Sequence, residues 1–465
     1  MCGDGPLPWQ ARVLDTVAAG TLLLALSVAI SGGFREWTPL GRLSVTSAGR
    51  PALAGLLLLL LRHWWWRRPS FVARLAEFVR RRILSADART IWPIVAATRP
   101  VVLVVGFLGI VLLGYAPNTP PYRIYNNDFL DLPARWDTGW YLGIATHGYE
   151  YDAAKREAQQ NIAFFPVYPM LMRYGSIFAG RQVLWVGVAV SFIAFFAALV
   201  YLLKLARRYV DDDAAAIGVA LLASYPFAFF FSTAYTESLF LLTIVAACYH
   251  FERDELWGAS AWGLVAGLTR PNGCLLSVVL ALLIVSRRGA ASWRELPMRQ
   301  LAFRIAAAAA PGMGMLAYSA FIYQLTGNPW QWAAQNAAWG RVYRGVDLLV
   351  GDQFDSLQQN GFYGYASSQP LDLINGVALL FALASVWPVY RCMGIPYAVL
   401  VLLTVLPPVT MGGLLSMGRI TSVIFPLFVW LGTAVSQKHR IAWLMGFAML
   451  QALGAIVFFT WRPLY

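Results

Sequence analysis

Long apolar runs separated by shorter polar segments repeat along the whole chain. Runs of spanning or near-spanning length lie at 13–33, 99–115, 182–203, 300–323, 371–390, 420–436 and 441–461. A helix needs about 20 apolar residues to cross the hydrocarbon core of a bilayer. The pattern therefore predicts an all-α, polytopic membrane protein, with no separate soluble domain left over.

Basic residues predict the orientation of these runs. The densest basic segment, 62–89, carries a series of arginines against only Glu77 and Asp87. We expect it to be cytoplasmic and amphipathic, and to lie against anionic lipid. Counting onward, the basic stretches at 204–209 and 437–440 fall on the same side. The count gives about 11–13 spans and places the two large polar loops, 116–163 and 324–370, on the extracytoplasmic face.

Two parts of the chain need a specific interpretation. Residues 1–98 read as an extension with two apolar segments of open orientation, followed by one large membrane domain over 99–465. Residues 256–288 read as two short helices that meet at "TRPNG", because a single crossing would export Arg287 and Arg288. A helix break of this kind borders protein or water rather than lipid.

Composition supports the membrane assignment. The chain has 465 residues, of which 59% are hydrophobic and 13% charged, and the mean hydropathy is +0.58. The net charge of +13 follows from the cytoplasmic bias of basic residues, so we expect no nucleic-acid partner. The four cysteines and four histidines are dispersed, which predicts no metal site.

The first large loop holds an unusual polar stretch, "RWDTGWYLGIATHGY" at 135–149. Asp137 lies between Trp136 and Trp140, rings that can exclude water and stack on a sugar, and a carboxylate there can take a proton from an attacking hydroxyl. The alternative is a loop ion pair of Arg135 with Asp137, flanked by tryptophans that anchor the loop at the interface. The residues alone leave both open.

Further polar side chains stand at the ends of apolar helices. Glu237 either caps its helix or contacts substrate in a polar cavity. Arg270, with Asn272 beside it at the "TRPNG" break, either reaches the interface or binds a lipid phosphate. Arg419, the only charge between two apolar runs, leaves the same choice.

Several nucleotide-binding and hydrolase motifs are absent from the sequence. It contains no GxxxxGK[ST], no GxGxxG opening a βαβ unit, no HExxH and no GxSxG. ATP-driven transport, zinc proteolysis and α/β-hydrolase chemistry therefore have no support. No cofactor is expected. If the protein transfers a sugar outside the cytoplasm, the sugar donor would be linked to a lipid.

Five motifs in order resemble the PIG-V family of GPI mannosyltransferase 2 and its prokaryotic relatives, within the GT-C superfamily of membrane glycosyltransferases. They are "RWDTGWYLGIATHGY" (135–149), "IAFFPVYP" (162–169), "YTESLF" (235–240), "TRPNG" (269–273) and "SMGRITSVIFPLF" (416–428). The resemblance spans about 99–465. It implies a GT-C-type helix bundle with short helices in large extracytoplasmic loops.

The resemblance also implies a reaction. This is an inverting, metal-independent transfer of a hexose, typically mannose, from a polyprenyl- or dolichyl-phosphate sugar to a glycolipid or glycan. Asp137 would be the base, and Arg270, Arg419 and Arg135 would neutralise the lipid phosphate. The expected substrate-binding residues are Arg135, Trp136, Trp140, His147, Tyr235, Glu237, Arg270, Asn272 and Arg419.

Two other functions are compatible with the residues. One is a transporter or flippase of lipid-linked saccharides, although only one helix break and no clear repeat are visible. The other is a non-catalytic subunit with the same fold, against which an intact Asp137 argues. The expected location is a prokaryotic plasma membrane, with the active site facing the extracytoplasmic side and membrane lipids as neighbours.

Overall fold

A computed structural model describes most of the chain. The described residues are 8–31, 33–38, 41–66, 70–78, 80, 85–119, 122–286, 297–343 and 345–462. Parts of the basic segment 62–89 and the stretch 287–296, with Arg287 and Arg288, lie outside them.

The described chain is helical apart from one hairpin. The helices are α1 (Trp9–Ser31), α2 (Gly49–Trp65), α3 (Phe71–Phe78), α4 (Ala86–Leu113), α5 (Thr138–His147), α6 (Val167–Ser176), α7 (Val183–Ala206), α8 (Asp212–Ser224), α9 (Glu237–Glu252), α10 (Leu256–Thr269), α11 (Leu276–Val285), α12 (Met298–Thr326), α13 (Gln331–Ala334), α14 (Val346–Ser368), α15 (Pro370–Met393), α16 (Ile395–Gly412), α17 (Met417–Thr421), α18 (Phe425–Ala434) and α19 (Arg440–Phe459). The strands β1 (Phe34–Thr38) and β2 (Gly41–Val45) pair antiparallel, with Phe34 opposite Val45. The all-α prediction is confirmed except for this hairpin.

Seven helices of the described chain are long and apolar enough to cross a bilayer by length and composition: Trp9–Ala29, Ala86–Leu113, Val183–Ala206, Met298–Thr326, Pro370–Met393, Ile395–Gly412 and Gln437–Phe459. Together they make the chain a multi-pass integral membrane protein. The figure of 11–13 spans requires shorter helices such as α2, α8, α9 and α10 to cross as well, and it stays a prediction.

One helix begins earlier than predicted. We expected the apolar span to begin at 99, whereas α4 starts at Ala86. Ile91 and Val95, one turn apart on α4, are buried. They extend the apolar face, so the helix continues through Pro93 toward its N-terminus.

The chain divides into two compact units, Met1–Arg89 with Met170–Val186, and Thr90–Pro169 with Gly187–Tyr465. Within the first unit, α1 packs against α2. The buried Asp15 carboxylate forms an ion pair with Arg62 Nε at 2.9 Å and a second ion pair with Arg74 of α3. This shared carboxylate joins α1, α2 and α3.

The core of the second unit surrounds α9. From Glu237 to Cys248 every residue of this helix is buried, which marks an interior helix rather than one facing lipid. It packs against α10, and α10 packs against α12. The N-terminal end of α9, where Glu237 stands, therefore lies inside the protein.

Glycines set the close packing of α10 and α12. A Cβ at Gly267 would overlap the carbonyl of Pro311, and one at Gly314 would overlap the carbonyl of Leu264. Small residues allow such close approach between membrane helices. The two backbones are therefore fixed against each other about one turn before α10 ends.

Two breaks interrupt the later apolar runs. After α10, Arg270 adopts an extended conformation (φ −150°, ψ 152°), and a 3-10 turn, Pro271–Leu275, leads into α11. The prediction of two short helices meeting at "TRPNG" is confirmed. The predicted span 420–436 is wrong in its continuity, because residues 422–424 separate α17 from α18.

Candidate active site

The loop before α5 is folded by a buried carboxylate. Asp131 accepts hydrogen bonds from the backbone N–H groups of Ile124 (3.0 Å), Tyr125 (2.9 Å) and Asn127 (3.2 Å). Its neighbour in space, Arg135, is completely buried. The Arg135 guanidinium donates to the carbonyls of Phe459 and Asp131, each at 2.7 Å. These bonds fix the backbone that leads to Asp137.

Burial also lowers the pKa of Arg135 to about 10, and the neighbouring Tyr115 hydroxyl and the Asp131 and Asp128 carboxylates only partly offset it. The Arg135 guanidinium donates its hydrogen bonds to backbone carbonyls inside the protein. The structure therefore does not bring Arg135 to the polar cluster described below, and its geometry fits the support of the loop rather than contact with substrate.

Asp137 is held in place by Tyr235. Trp136 has a left-handed backbone conformation (φ 48°), which is uncommon outside glycine. The Tyr235 hydroxyl accepts the Asp137 N–H at 3.1 Å and donates to the Arg135 carbonyl at 3.4 Å, on either side of that residue. Asp137 occupies the N-cap position of α5, yet its carboxylate makes no capping hydrogen bond. The side chain is thereby left for another contact.

That contact is an ion pair with Arg419. Arg419 Nη1 lies 2.6 Å from Asp137 Oδ2. Arg419 Nε also donates to Glu237 Oε1, and the same oxygen accepts from Arg270 Nη1. Four side chains thus form one chain of contacts in the order Arg270, Glu237, Arg419, Asp137.

The burial of this cluster increases from Asp137 inward. The side chains of Asp137 and Arg270 are 20% and 18% exposed, that of Arg419 is 9% exposed, and that of Glu237 is 0% exposed. Glu237 lies in the first turn of α9, where its charge favours the helix N-terminus, but it bonds the two arginines and makes no capping hydrogen bond within the described residues. Glu237 therefore holds the guanidinium groups of Arg270 and Arg419 close to each other.

Local backbone features aim the two arginines. At the end of α10, a Cβ on Gly273 would overlap the Ala266 carbonyl, so the turn after Arg270 requires glycine. Before Arg419, a Cβ on Gly418 would overlap the Phe227 ring, and the Gly418 N–H donates to Asn375 Oδ1 at 2.7 Å. The motifs "TRPNG" and "SMGR" are thus tight turns that place a guanidinium at the same carboxylate.

Aromatic rings pack close to the cluster. Trp140 stacks on Phe164 with centroids 5.8 Å apart, and Trp339 meets both edge to face at 5.6 Å. Arg419 lies over the Tyr235 ring at 4.6 Å. Trp140 follows Asp137 by one helical turn, so an aromatic wall stands next to the carboxylate.

The remaining predicted residues take different places. Trp136 packs against Trp461 at 5.1 Å, beside Asp137 in sequence. Asn272 is half-buried in the turn after Arg270. His147 is exposed at the end of α5, where it bonds Thr146, about 15 Å along the helix axis from Asp137. The structure does not bring His147 to the cluster.

One residue of the site was not predicted. Arg341 follows the 3-10 helix Gln335–Trp339 in the second large loop. Burial, with the positive charges of Arg419 and Arg270 close by, lowers its pKa to about 10, and Asp137 partly opposes this. In sequence Arg341 resembles any loop arginine. Its position in a loop assigned to the external side, where basic residues are depleted, was the available signal.

The charges of the site do not cancel. Arg270, Arg341 and Arg419 supply three positive charges, and Asp137 and Glu237 supply two negative charges, which leaves +1. Guanidinium groups arranged in this way suit a phosphate. Among the described residues there is no group of three or more His, Cys, Asp or Glu side chains that could hold a metal ion.

The middle of the chain matches a known family. Residues 118–330 match the family model described as Mannosyltransferase (PIG-V). The GPI alpha-1,6-mannosyltransferase 2 of Mus musculus is 30% identical over 150 residues, which is 30% of this chain and 29% of the mouse protein. The Homo sapiens protein of that name is 30% identical over 155 residues, 31% of this chain and 30% of the human protein. The chain spans less than a third of these relatives.

Two solved structures share distant similarity with the chain. ArnT from Cupriavidus metallidurans bound to undecaprenyl phosphate has a TM-score of 0.43 and 16% identity, and the match covers 77% of this chain and 63% of ArnT. The Archaeoglobus fulgidus oligosaccharyltransferase in complex with Zn and sulfate has a TM-score of 0.36 and 14% identity, with 78% and 53% covered. TM-scores below 0.5 do not establish a common fold.

The family match contains four of the motifs around the cluster, at 135–149, 162–169, 235–240 and 269–273. The fifth motif, at 416–428, lies beyond it, and the ion pairs of Arg419 bring that motif to the same place. Over its central region, residues 118–330, the chain is thus similar to the PIG-V family of mannosyltransferases.

Proposed function

We propose that this protein is an inverting glycosyltransferase that moves a hexose, most simply mannose, from a polyprenyl- or dolichyl-phosphate donor to a glycolipid or glycan acceptor. The reaction takes place on the extracytoplasmic face of the membrane. The observation that carries the proposal is the 2.6 Å contact of Asp137 with Arg419, because a carboxylate beside a group of arginines suits a general base next to a phosphate leaving group.

Asp137 acts as the general base. Its Oδ2 is held by Arg419, whereas Oδ1 has no hydrogen-bond partner within the described part of the chain. An acceptor hydroxyl that reaches Oδ1 gives up its proton there as its oxygen attacks C1 of the sugar. Tyr235 holds the backbone that carries this carboxylate through the Asp137 N–H.

The arginines stabilise the leaving group. The bond from C1 to the phosphate oxygen breaks as the new glycosidic bond forms, and its electron pair stays on the phosphate. The phosphodiester, with one negative charge, thereby becomes a polyprenyl phosphate that gains a further negative charge. Preorganised cations at the point where charge develops lower the barrier, since they need no rearrangement during the reaction.

The aromatic wall supports the acceptor. Trp140, one helical turn after Asp137, and Trp339, which packs edge to face on Trp140, offer ring faces on which a sugar can stack. The wall also excludes water, which would otherwise compete with the acceptor for the donor sugar.

The test is Asp137→Asn in purified protein with polyprenyl-phosphate mannose as donor. Transfer should fall by about 100- to 10,000-fold, the usual contribution of a general base, while yield and thermal stability in detergent stay close to wild type. Substantial transfer by this variant would sink the assignment of the base.

The same assay separates an enzyme from a transporter. Detergent-solubilised protein has no membrane and no gradient, yet an enzyme still forms glycosylated product there. Movement of the lipid-linked sugar across liposomes without any product in detergent would favour a flippase instead.

A further inference from the structure

Arg341 is a cation without a partner in the site. It follows Gly340, whose left-handed conformation (φ 73°) turns the chain after the 3-10 helix Gln335–Trp339. Within the described residues its guanidinium makes no hydrogen bond and no ion pair, although the side chain is partly buried. Arg270 and Arg419, by contrast, are both paired with Glu237.

The side chain of Arg341 lies at the loop that carries Arg419. A Cβ built on Gly412, the last residue of α16, would lie 3.4 Å from Arg341 Cγ and 3.6 Å from Nη1. The "SMGR" turn follows four residues later in sequence. The second large loop therefore reaches over to the segment that holds the arginine bound to Asp137.

An unpaired cation next to two other arginines is unfavourable without an anion. Burial and the charges of Arg419 and Arg270 both act against the charged form of Arg341, and only Asp137 favours it. Arg270 and Arg419 have their carboxylate partners, so Arg341 is the surplus charge of the cluster. A bound phosphate would supply the missing negative charge and accept two parallel hydrogen bonds from one guanidinium.

We propose that Arg341 binds the phosphate of the lipid-linked donor. This proposal rests on the proposed function and adds to it a donor-binding residue from the second loop. Arg341 contacts the phosphate both before and after transfer. Its loss should therefore weaken donor binding more than it slows the chemical step.

The experiment compares Arg341→Gln and Arg341→Lys with wild type, and Arg156→Gln serves as matched control, since Arg156 is an exposed arginine of the first loop. Two quantities are measured in detergent: the donor KM and kcat, and direct binding of sugar-free polyprenyl monophosphate. Arg341→Gln should weaken polyprenyl phosphate binding and raise the donor KM by about 10- to 100-fold, with a smaller change in kcat. Arg341→Lys should be intermediate, because it keeps the charge and loses the forked geometry.

Inorganic phosphate distinguishes a lipid phosphate site from a general anion site. It should compete with polyprenyl phosphate only at concentrations far above those of the lipid. Equal competition by the two would overturn a lipid-linked ligand. Wild-type binding and KM in Arg341→Gln, with an unchanged melting temperature, would overturn the role of Arg341.

The two proposals fail in different ways. If wild-type protein transfers sugar and Arg341→Gln is unaffected, only the inference about Arg341 fails. If wild-type protein makes no product with any lipid-linked hexose, yet binds polyprenyl phosphate through Arg341, the proposed function fails and the phosphate site stands. Should Arg341→Gln not fold, Arg341→Lys carries the same comparison.

Discussion

Arg419 Nη1 contacts Asp137 Oδ2 at 2.6 Å although 282 residues separate them in sequence. The contact joins the first large loop to the short helix α17. It gives the carboxylate a fixed orientation and brings a cation to the reacting group. Predictions about activity therefore depend on this pair and on the groups that hold it.

Arg419→Lys is expected to lower kcat/KM by roughly 10- to 150-fold. A lysine cannot reach Asp137 and Glu237 at once, so a charge-assisted hydrogen bond of about 1.5–3 kcal/mol is lost. Steady-state kinetics with the lipid-linked donor measure the effect. Arg80→Lys, which alters an exposed pair with Glu77, serves as control. Equal kcat/KM in the two variants would contradict a role for Arg419 in transfer.

Glu237→Gln is expected to destabilise the protein and reduce kcat together. The side chain is fully buried and holds two arginines, and removal of one partner of a buried ion pair costs about 3–5 kcal/mol. The melting temperature in detergent and the rate report the two effects. Glu255→Gln, in a pair with Arg253 at the exposed surface, should change neither. A Glu237→Gln protein of wild-type stability would show that the two arginines do not need this carboxylate.

Arg135→Lys should lower stability while the donor KM of the folded fraction stays unchanged. Its guanidinium bonds the Phe459 and Asp131 carbonyls, and lysine can replace only part of these bonds, each worth about 1–3 kcal/mol when a buried acceptor is left without its donor. Thermal melts and donor titrations are the measurements. A raised donor KM without loss of stability would contradict this structural role and would indicate that Arg135 binds the donor phosphate.

Transfer should continue in the presence of EDTA. In the proposed mechanism Arg270, Arg341 and Arg419 supply the positive charge around the donor phosphate, so no divalent cation is needed for that task. Rates measured with EDTA and with added Mg²⁺ or Mn²⁺ should agree within error. A loss with EDTA that Mn²⁺ restores would point to a resident cation and to ligands beyond those in the cluster.

Much of the fold was predictable because helix periodicity and length are local properties. The apolar runs located most long helices, and the proline and glycine of "TRPNG" predicted the break after α10. The β-hairpin was missed, since β1 and β2 have five residues each and short strands have no distinctive period. The start of α4 was missed because its first turns are only partly apolar.

The site was predictable by residue and not by arrangement. Asp137, Glu237, Arg270 and Arg419 stood out as polar groups in apolar surroundings. Which of these side chains form ion pairs depends on contacts between residues far apart in the chain. Such contacts cannot be inferred from one sequence alone. Arg135 and Asp137 are two residues apart in one motif, and only the left-handed turn at Trp136 decides that the first points into the fold and the second into the site.

The close packing of α10 against α12 affects how the kinetic effects of substitutions in this protein are interpreted. Gly267 lies three residues before Arg270, and α12 leads directly into the loop that carries Arg341. A side chain at Gly267 would push the two helices apart and move both guanidinium groups relative to Asp137. Such a substitution, at a residue that contacts α12 rather than the cluster itself, would mimic a defect in donor recognition, so a kinetic phenotype alone does not identify the residues of this protein that contact substrate.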